Sequence, residues 1–232
     1  AANTSFFAIL LGSDNGGTVT PTDGSVTTDK FASGVAIGAS GTANTLAGIP
    51  FFSDSSNKSM YTHDVSGTDS TAAGNTAFGF TSMDAITTGD DNTAMGENAM
   101  GGLQDGVENV AIGKNSMLAA TSASQNTCVG LNSGAALSSG SGYNVLLGHG
   151  AGAAMTSGNR NIAIGVSSMD GFDTETHNLG IGVSALGGSV AGGEYNVAVG
   201  NYTLDALTSA DYNTAVGYQA GSTLTTGGYT TA

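Results

Sequence analysis

The sequence predicts an all-β protein, a parallel β-solenoid or β-roll whose coils are 17 or 18 residues long. Three observations predict this class. A five-residue motif that ends in Gly recurs nine times at that interval. Residues alternate with a period of two inside the motif, which is typical of a short strand. Gly makes up 38 of 232 residues, and each would cost a helix interior roughly 1 kcal/mol. Short strands repeated at a fixed period indicate stacked coils.

The motif contains two invariant columns, which we number from its Asn as position 0. Position 0 is Asn and position 4 is Gly in all nine copies. We expect the Asn side chains to stack as a hydrogen-bonded ladder, and the Gly residues to meet a backbone need for positive φ or close approach. Both columns are predicted to be structural; they comprise Asn75, Asn92, Asn109, Asn126, Asn144, Asn161, Asn178, Asn196 and Asn213, with Gly79, Gly96, Gly113, Gly130, Gly148, Gly165, Gly182, Gly200 and Gly217.

Positions 1, 2 and 3 form the predicted strand. Position 2 is nearly always small, whereas position 3 is large and apolar and position 1 is Thr or apolar. Side chains at positions 1 and 3 lie on the face opposite to position 2. Neither face carries charge, so we expect one face to fill the coil and the other to contact another chain. The predicted assembly is a rod-shaped homotrimer with intertwined or side-by-side chains.

The second half of each repeat is less regular. Position 8 is Met, Leu or Gly, and position 11 is often apolar. This pattern predicts a second, shorter strand between two turns in every coil.

The repeat divides the chain into three parts. Residues 75–232 are the predicted shaft of nine coils, which stops inside a tenth repeat where Thr230 stands in the Asn position; we expect the chain to be a piece of a longer protein. Residues 45–74 contain "PFF" and "MYTHDV", and this pattern predicts a capping hairpin or linker. Residues 1–44 predict an N-terminal connector or attachment segment with one isolated repeat-like coil, "GVAIGASG".

The charge balance restricts the partners. Acidic residues outnumber basic ones 18 to 4, and the net charge is −14. Such a surface repels nucleic-acid phosphates and anionic membranes. The apolar run "FFAILL" is too short to span a bilayer, so we expect no membrane insertion. The single cysteine, Cys128, occupies position 2 as a small buried residue and allows no intrachain disulfide.

No residue pattern indicates catalysis. His63, His149 and His177 lack metal-ligand spacing, although a His on a trimer axis would be present three times. The acidic pairs fall at variable turn positions, where solvated charge is typical, rather than as a glycosidase pair. Thr residues on flat solenoid faces can bind ice, but no unbroken T-x-T ladder is present. We therefore predict no enzyme activity, no cofactor and no metal.

Two families resemble the repeat. "NVAIG", "NIAIG", "NVAVG" and "NTAVG" are similar to the head repeats of YadA-type trimeric autotransporter adhesins, which form a left-handed parallel β-roll in a homotrimer. The array "GNTAFGFTSMDAITTGDDNTAMGENAM", together with "DGSVTTDKFASG" and "SMYTHDVSGTD", resembles bacteriophage tail-fibre proteins. This second resemblance covers most of the chain from residue 20 onward.

The tail-fibre resemblance implies a rigid trimeric shaft that supports host-surface recognition. The expected location is the virion, on its extracellular surface. The expected partners are two further copies of the chain, other fibre or tail proteins, and a glycan or protein receptor on the host. The head of a bacterial adhesin is the alternative, and a capsule-degrading tailspike is the minor one.

Overall fold

The computed structural model describes residues 44–46, 49–54, 59–62, 71–188 and 192–232. These residues belong to one compact unit, residues 42–232. The predicted connector of residues 1–44, including its repeat-like coil, lies outside the described residues except for Asn44.

The described part of the chain is all-β, as predicted. Its twelve strands form one sheet in chain order. The first three strands pair antiparallel, and every strand from the third onward pairs in parallel with the next. The strands are β1 Asn44–Leu46, β2 Ile49–Asp54, β3 Ser59–Tyr61, β4 Thr76–Phe78, β5 Thr93–Met95, β6 Val110–Ile112, β7 Thr127–Val129, β8 Val145–Leu147, β9 Ile162–Ile164, β10 Leu179–Ile181, β11 Val197–Val199 and β12 Thr214–Val216.

The predicted solenoid is confirmed. Strands β4 to β12 each cover positions 1, 2 and 3 of one motif. They pair in register, so that Ala111 of β6 lies opposite Ala94 of β5 and Cys128 of β7. Each residue therefore stacks on its equivalent in the next coil, 17 or 18 residues away.

The inner face of the ladder carries position 2. In all strands from β4 to β12 the central residue is buried, while its two neighbours are half-buried or exposed. Small side chains point inward because a coil of this length leaves little room opposite the strand. That room is filled mainly by positions 8 and 11, including Met83, Met100, Leu103 and Phe172, all fully buried.

The second strand predicted in each coil is not found in the described residues, where the second half of the coil forms only isolated parallel bridges, as between Gly142 and Asn159. The chain passes through turns after the motif Gly, although it still donates backbone hydrogen bonds along the stack, as from Met100 N to Ser116 O (2.9 Å). Positions 6 and 8 explain the difference, because Asn98 and Met100 have φ values of 58° and 52°. Such left-handed residues interrupt the extended backbone that a strand requires.

The described parts of residues 45–74 join the first coil through β3. Met60 pairs with Thr76 in parallel register. Ser59 Oγ accepts a hydrogen bond from Asn75 N (3.1 Å), and Thr62 Oγ1 accepts one from Gly79 N (2.9 Å). In later coils the equivalent N–H groups donate to acceptors on the preceding coil. In the first coil these two hydroxyl groups accept those hydrogen bonds instead. The role of residues 45–74 as a cap stays a prediction.

Candidate functional site

The position-0 Asn side chains form a buried column that links each coil to the next. Asn109 shows the pattern. Its Oδ1 accepts hydrogen bonds from Asn126 N (3.0 Å) and Asn126 Nδ2 (3.2 Å). Its Nδ2 donates to Ala123 O (2.7 Å) at the end of the same coil, and to Asn92 Oδ1 (3.0 Å). One amide thus closes its own coil and connects two others.

The same backbone contact continues along the whole Asn column. The Oδ1 of each Asn from Asn75 to Asn196 accepts the N–H of the following Asn, and Asn213 Oδ1 accepts the N–H of Thr230. All nine side chains are buried. Because every amide is occupied inside the coil, this column presents no free group to a ligand.

The position-4 Gly residues lie where the coil turns away from its strand. Their φ values are between 130° and 144°, a region that residues with a Cβ rarely adopt. A Cβ on Gly113 would also lie 2.5 Å from Gly130 O. The column therefore needs glycine for two reasons, its backbone conformation and the close approach of the next coil.

The outer face of the strand ladder is apolar and partly solvent-exposed. Met95 is 50% exposed and Val216 is 62% exposed. The position-3 residues of successive coils lie side by side in register. They are Phe78, Met95, Ile112, Val129, Leu147, Ile164, Ile181, Val199 and Val216. Position 1 adds a parallel row of Thr, Val, Ile and Leu. A continuous apolar strip of this kind indicates an interaction surface.

A second column on the surface consists of aromatic and cationic residues immediately before the motif Asn. The ring centroids of His177 and Tyr195 are 4.8 Å apart, those of Tyr195 and Tyr212 5.1 Å, and those of Tyr212 and Tyr229 5.0 Å. The Arg160 guanidinium carbon lies 5.2 Å from the centroid of the Tyr143 ring. We call Tyr143, Arg160, His177, Tyr195, Tyr212 and Tyr229 the aromatic column.

The aromatic column was not predicted from the sequence, although a signal was present. Tyr precedes the motif Asn in "YNVLLG", "YNVAVG" and "YNTAVG", and the tenth repeat has Tyr229 in the same place. In the N-terminal coils the same position holds Asp91, Glu108 and Gln125. The change from acidic and amide residues to aromatic and cationic ones along this position becomes apparent only once the coils are stacked.

The electrostatics of the aromatic column reflect this stacking. The pKa of the Tyr212 phenol lies above its ordinary value, first because its surroundings shield it from water. Phenolates at Tyr229 and Tyr195 and the Asp211 carboxylate would also repel its charge. The Tyr212 phenol therefore stays protonated at neutral pH, and its hydroxyl group can act as donor and acceptor.

Other polar groups in the described coils act within the fold. Glu175 is buried, and its carboxylate accepts hydrogen bonds from the backbone N–H of Asp173 (2.7 Å) and of Gly192 (2.9 Å). Asp90 Oδ1 likewise accepts from Ala73 N (2.8 Å). Burial raises the pKa of the Cys128 thiol, so this group stays neutral and unreactive.

The prediction that the chain holds no metal stays untested. His149 follows a motif Gly and His177 stands in the aromatic column, whereas His63 lies outside the described residues. Within the ranges that the structure describes, no three His, Cys, Asp or Glu side chains are grouped closely enough to hold a metal ion.

Within the same ranges, no helix has the length and apolar character needed to cross a bilayer. Comparison with family models, curated proteins and solved structures finds no match to this chain.

Proposed function

We propose that this chain is a structural and adhesive segment of a phage tail fibre. Three copies pack along the outer faces of their strand ladders and form a stiff shaft that supports recognition of the host surface. The observation that supports this proposal most directly is the apolar strip at positions 1 and 3. It extends over nine coils and carries no charged residue, in a chain whose net charge is −14.

The strip favours self-association over contact with an unrelated partner. Its composition repeats from coil to coil, so that equivalent rows on several copies can match along their full length. Most soluble homo-oligomers have closed cyclic symmetry, and a trimer forms when one surface of each copy contacts a different surface of the next and the ring closes. The number three comes from the resemblance to tail fibres and to adhesin heads, both of which are trimeric.

Mechanical stiffness follows from the hydrogen bonds along the stack. Each coil is tied to the next by the strand ladder, by the Asn column and by the turn contacts after the motif Gly. Force along the stack would act on all of these bonds at once. This suits a shaft, and the resemblance adds the virion as its location and a host glycan or protein as its receptor.

The alternatives differ in what they require. A capsule-degrading tailspike needs two carboxylates on opposite sides of a sugar bond, whereas Asp90 and Glu175 accept backbone hydrogen bonds in turns. An adhesin head would use the same trimeric coil, so the flanking gene sequence distinguishes it. A signal peptide, stalk and membrane anchor would favour the adhesin, and neighbouring virion genes would favour the fibre.

The decisive test is the mass of the particle in solution, measured by light scattering. The chain weighs 22.6 kDa, and we expect a mass near three times that value over a wide range of concentrations. A particle that stays monomeric at every concentration would contradict the trimeric shaft.

A further inference from the structure

We propose that the aromatic column binds a neutral polysaccharide of β-1,4-linked pyranose units, laid along the direction in which the coils stack. The proposal builds on the adhesive function above by naming the surface and the chemical class of the receptor.

The spacing of the rings in the aromatic column matches the spacing of sugar units in such a glycan. Neighbouring rings of the column are 4.8 to 5.1 Å apart, a spacing close to the length of one pyranose unit in an extended β-1,4-linked glycan. Tyr195, Tyr212 and Tyr229 can therefore offer the same group to successive sugars. An extended peptide rises about 3.3 Å per residue and repeats its side chains every second residue, so its period does not match the column.

The rings of the aromatic column are partly exposed to solvent. Carbon atoms make optimal contact at about 3.5 to 4.0 Å, whereas the centroids of Tyr195 and Tyr212 are 5.1 Å apart with parallel planes. Rings in contact at this spacing must be offset, as is usual for aromatic pairs. Offset rings leave part of each face uncovered, and Tyr212 is in fact 47% exposed. Each tyrosine thus presents an apolar surface to a sugar and a hydroxyl group to its oxygens.

Charge selects a neutral glycan. Glu194 and Asp211 directly precede Tyr195 and Tyr212, and the whole chain carries a net charge of −14. Repulsion would weaken the binding of a polymer with a carboxylate on each sugar, most strongly at low salt. The Arg160 guanidinium lies against the Tyr143 ring, so it does not offset this repulsion beside Tyr212.

The test is a titration of the full chain with hexasaccharides. The probes are the β-1,4-linked hexamers of glucose and of N-acetylglucosamine, with the hexamer of β-1,4-linked glucuronic acid as the anionic comparison. The chain has no Trp, so its intrinsic fluorescence reports tyrosine, and calorimetry gives the affinity independently. We expect at least one neutral hexamer to bind, and the anionic hexamer to bind more weakly at low salt.

Two double variants locate the site. Tyr195→Ala with Tyr212→Ala removes the centre of the column, and we expect the affinity to fall by about tenfold or more. Tyr202→Ala with Tyr218→Ala is the matched control, since it removes two exposed tyrosines in an edge-to-face pair outside the column. The control should bind normally. Tyr212→Phe keeps the ring and removes only the hydroxyl group, so it tests the site even if the alanine pair fails to fold. Its affinity for the hexamer should fall by a few-fold.

Several results would overturn the proposal. In the first, the unmodified chain binds neither neutral hexamer at millimolar concentration. In the second, the anionic hexamer binds more tightly than the neutral ones. In the third, the column variant and the control variant lose the same affinity. A changed particle mass in the column variant would instead assign the column to contacts between copies. A monomer that still binds glycan would overturn the trimeric shaft and leave this site in place.

Discussion

At the scale of single residues, glycine has a role that no other residue can take in the turn after each strand. Gly113 has a φ of 130°, and an added Cβ would lie 2.5 Å from Gly130 O and 2.6 Å from Gly130 C. Both atoms belong to the backbone and cannot rotate away. The same pair of constraints applies at each position-4 Gly that has a following coil, which explains why the residue never varies.

We predict that Gly113→Ala destabilises the fold by about 3 kcal/mol or more, because strain at such a φ already costs about 1–3 kcal/mol and the clash adds to it. Gly113→Val should also prevent assembly of SDS-resistant trimers. Chemical denaturation and gel analysis measure these effects. The control is Gly101→Ala, whose added Cβ would meet its nearest atoms at 3.4 Å and should change stability little. Normal assembly of Gly113→Val would refute the requirement for glycine.

At the scale of the coil, positions 2 and 8 share one internal space. Most coils combine Ala at position 2 with Met or Leu at position 8, as in Ala111 and Met117. The fifth coil reverses the sizes, with Leu146 at position 2 and Gly152 at position 8. A Cβ on Gly152 would lie 2.9 Å from Leu146 Cδ1. The core thus keeps its total volume while the large side chain changes sides.

This exchange of sizes predicts that one substitution partly rescues the stability lost through the other. Gly152→Met alone should destabilise the chain by about 1–3 kcal/mol through overpacking, and Leu146→Ala alone by about 2–5 kcal/mol through a cavity. The double variant restores the usual pattern and should lose less than the sum, with a coupling of up to about 3 kcal/mol. Met is compatible with the backbone there, since Met117 has a φ of 52° at the same position. Additive losses would show that the two positions do not share space.

The Asn column is the second feature of the coil whose contribution to the free energy of unfolding can be measured. We predict that Asn109→Ala costs about 4 kcal/mol, since it leaves Asn126 N and Ala123 O buried without their partners and each orphaned group costs about 1–3 kcal/mol. Asn115→Ala is the control. Asn115 is only partly buried; its Nδ2 donates to Asn132 Oδ1 (3.1 Å) and its Oδ1 accepts from Asn98 Nδ2 (3.2 Å). Because water can replace these partners, its loss should cost only about 1–2 kcal/mol. Equal losses at the two sites would contradict a special role for the buried column.

At the scale of the whole molecule, two different surfaces serve two proposed roles. The apolar strip lies on the outer face of the strands, and the aromatic column runs along the residues just before each motif Asn. Charged side chains are kept in the turns, as with Lys114 and Glu97, whose ion pair is 2.8 Å long on the surface. Such an exposed pair contributes less than about 1 kcal/mol, so the proposed assembly would depend on the apolar strip.

We therefore predict that Ile162→Lys dissociates the oligomer. Ile162 stands at position 1 of β9 and is 39% exposed in the single chain, so a lysine there is tolerated by the coil but not inside a contact between copies. Light scattering should show a mass near that of one chain, with unchanged circular dichroism. Gln104→Lys makes the same change in charge at an exposed turn position and should leave the mass unaltered. A loss of secondary structure together with a fall in the particle mass would show instead that Ile162 supports the coil itself.

The sequence by itself determined the all-β class, the length of the coil and the residues of the two invariant columns. It did so because in-register stacking brings each position against its equivalent, so a backbone requirement met once must be met in every coil. Only the tertiary structure decided which face of the strand is inside, since alternation shows two faces without saying which one has room. It also replaced the expected second strand with turns, because left-handed residues such as Met100 are not recognisable from their type. The aromatic column likewise became visible only when stacking placed rings 17 or 18 residues apart in the chain within 5.1 Å of one another.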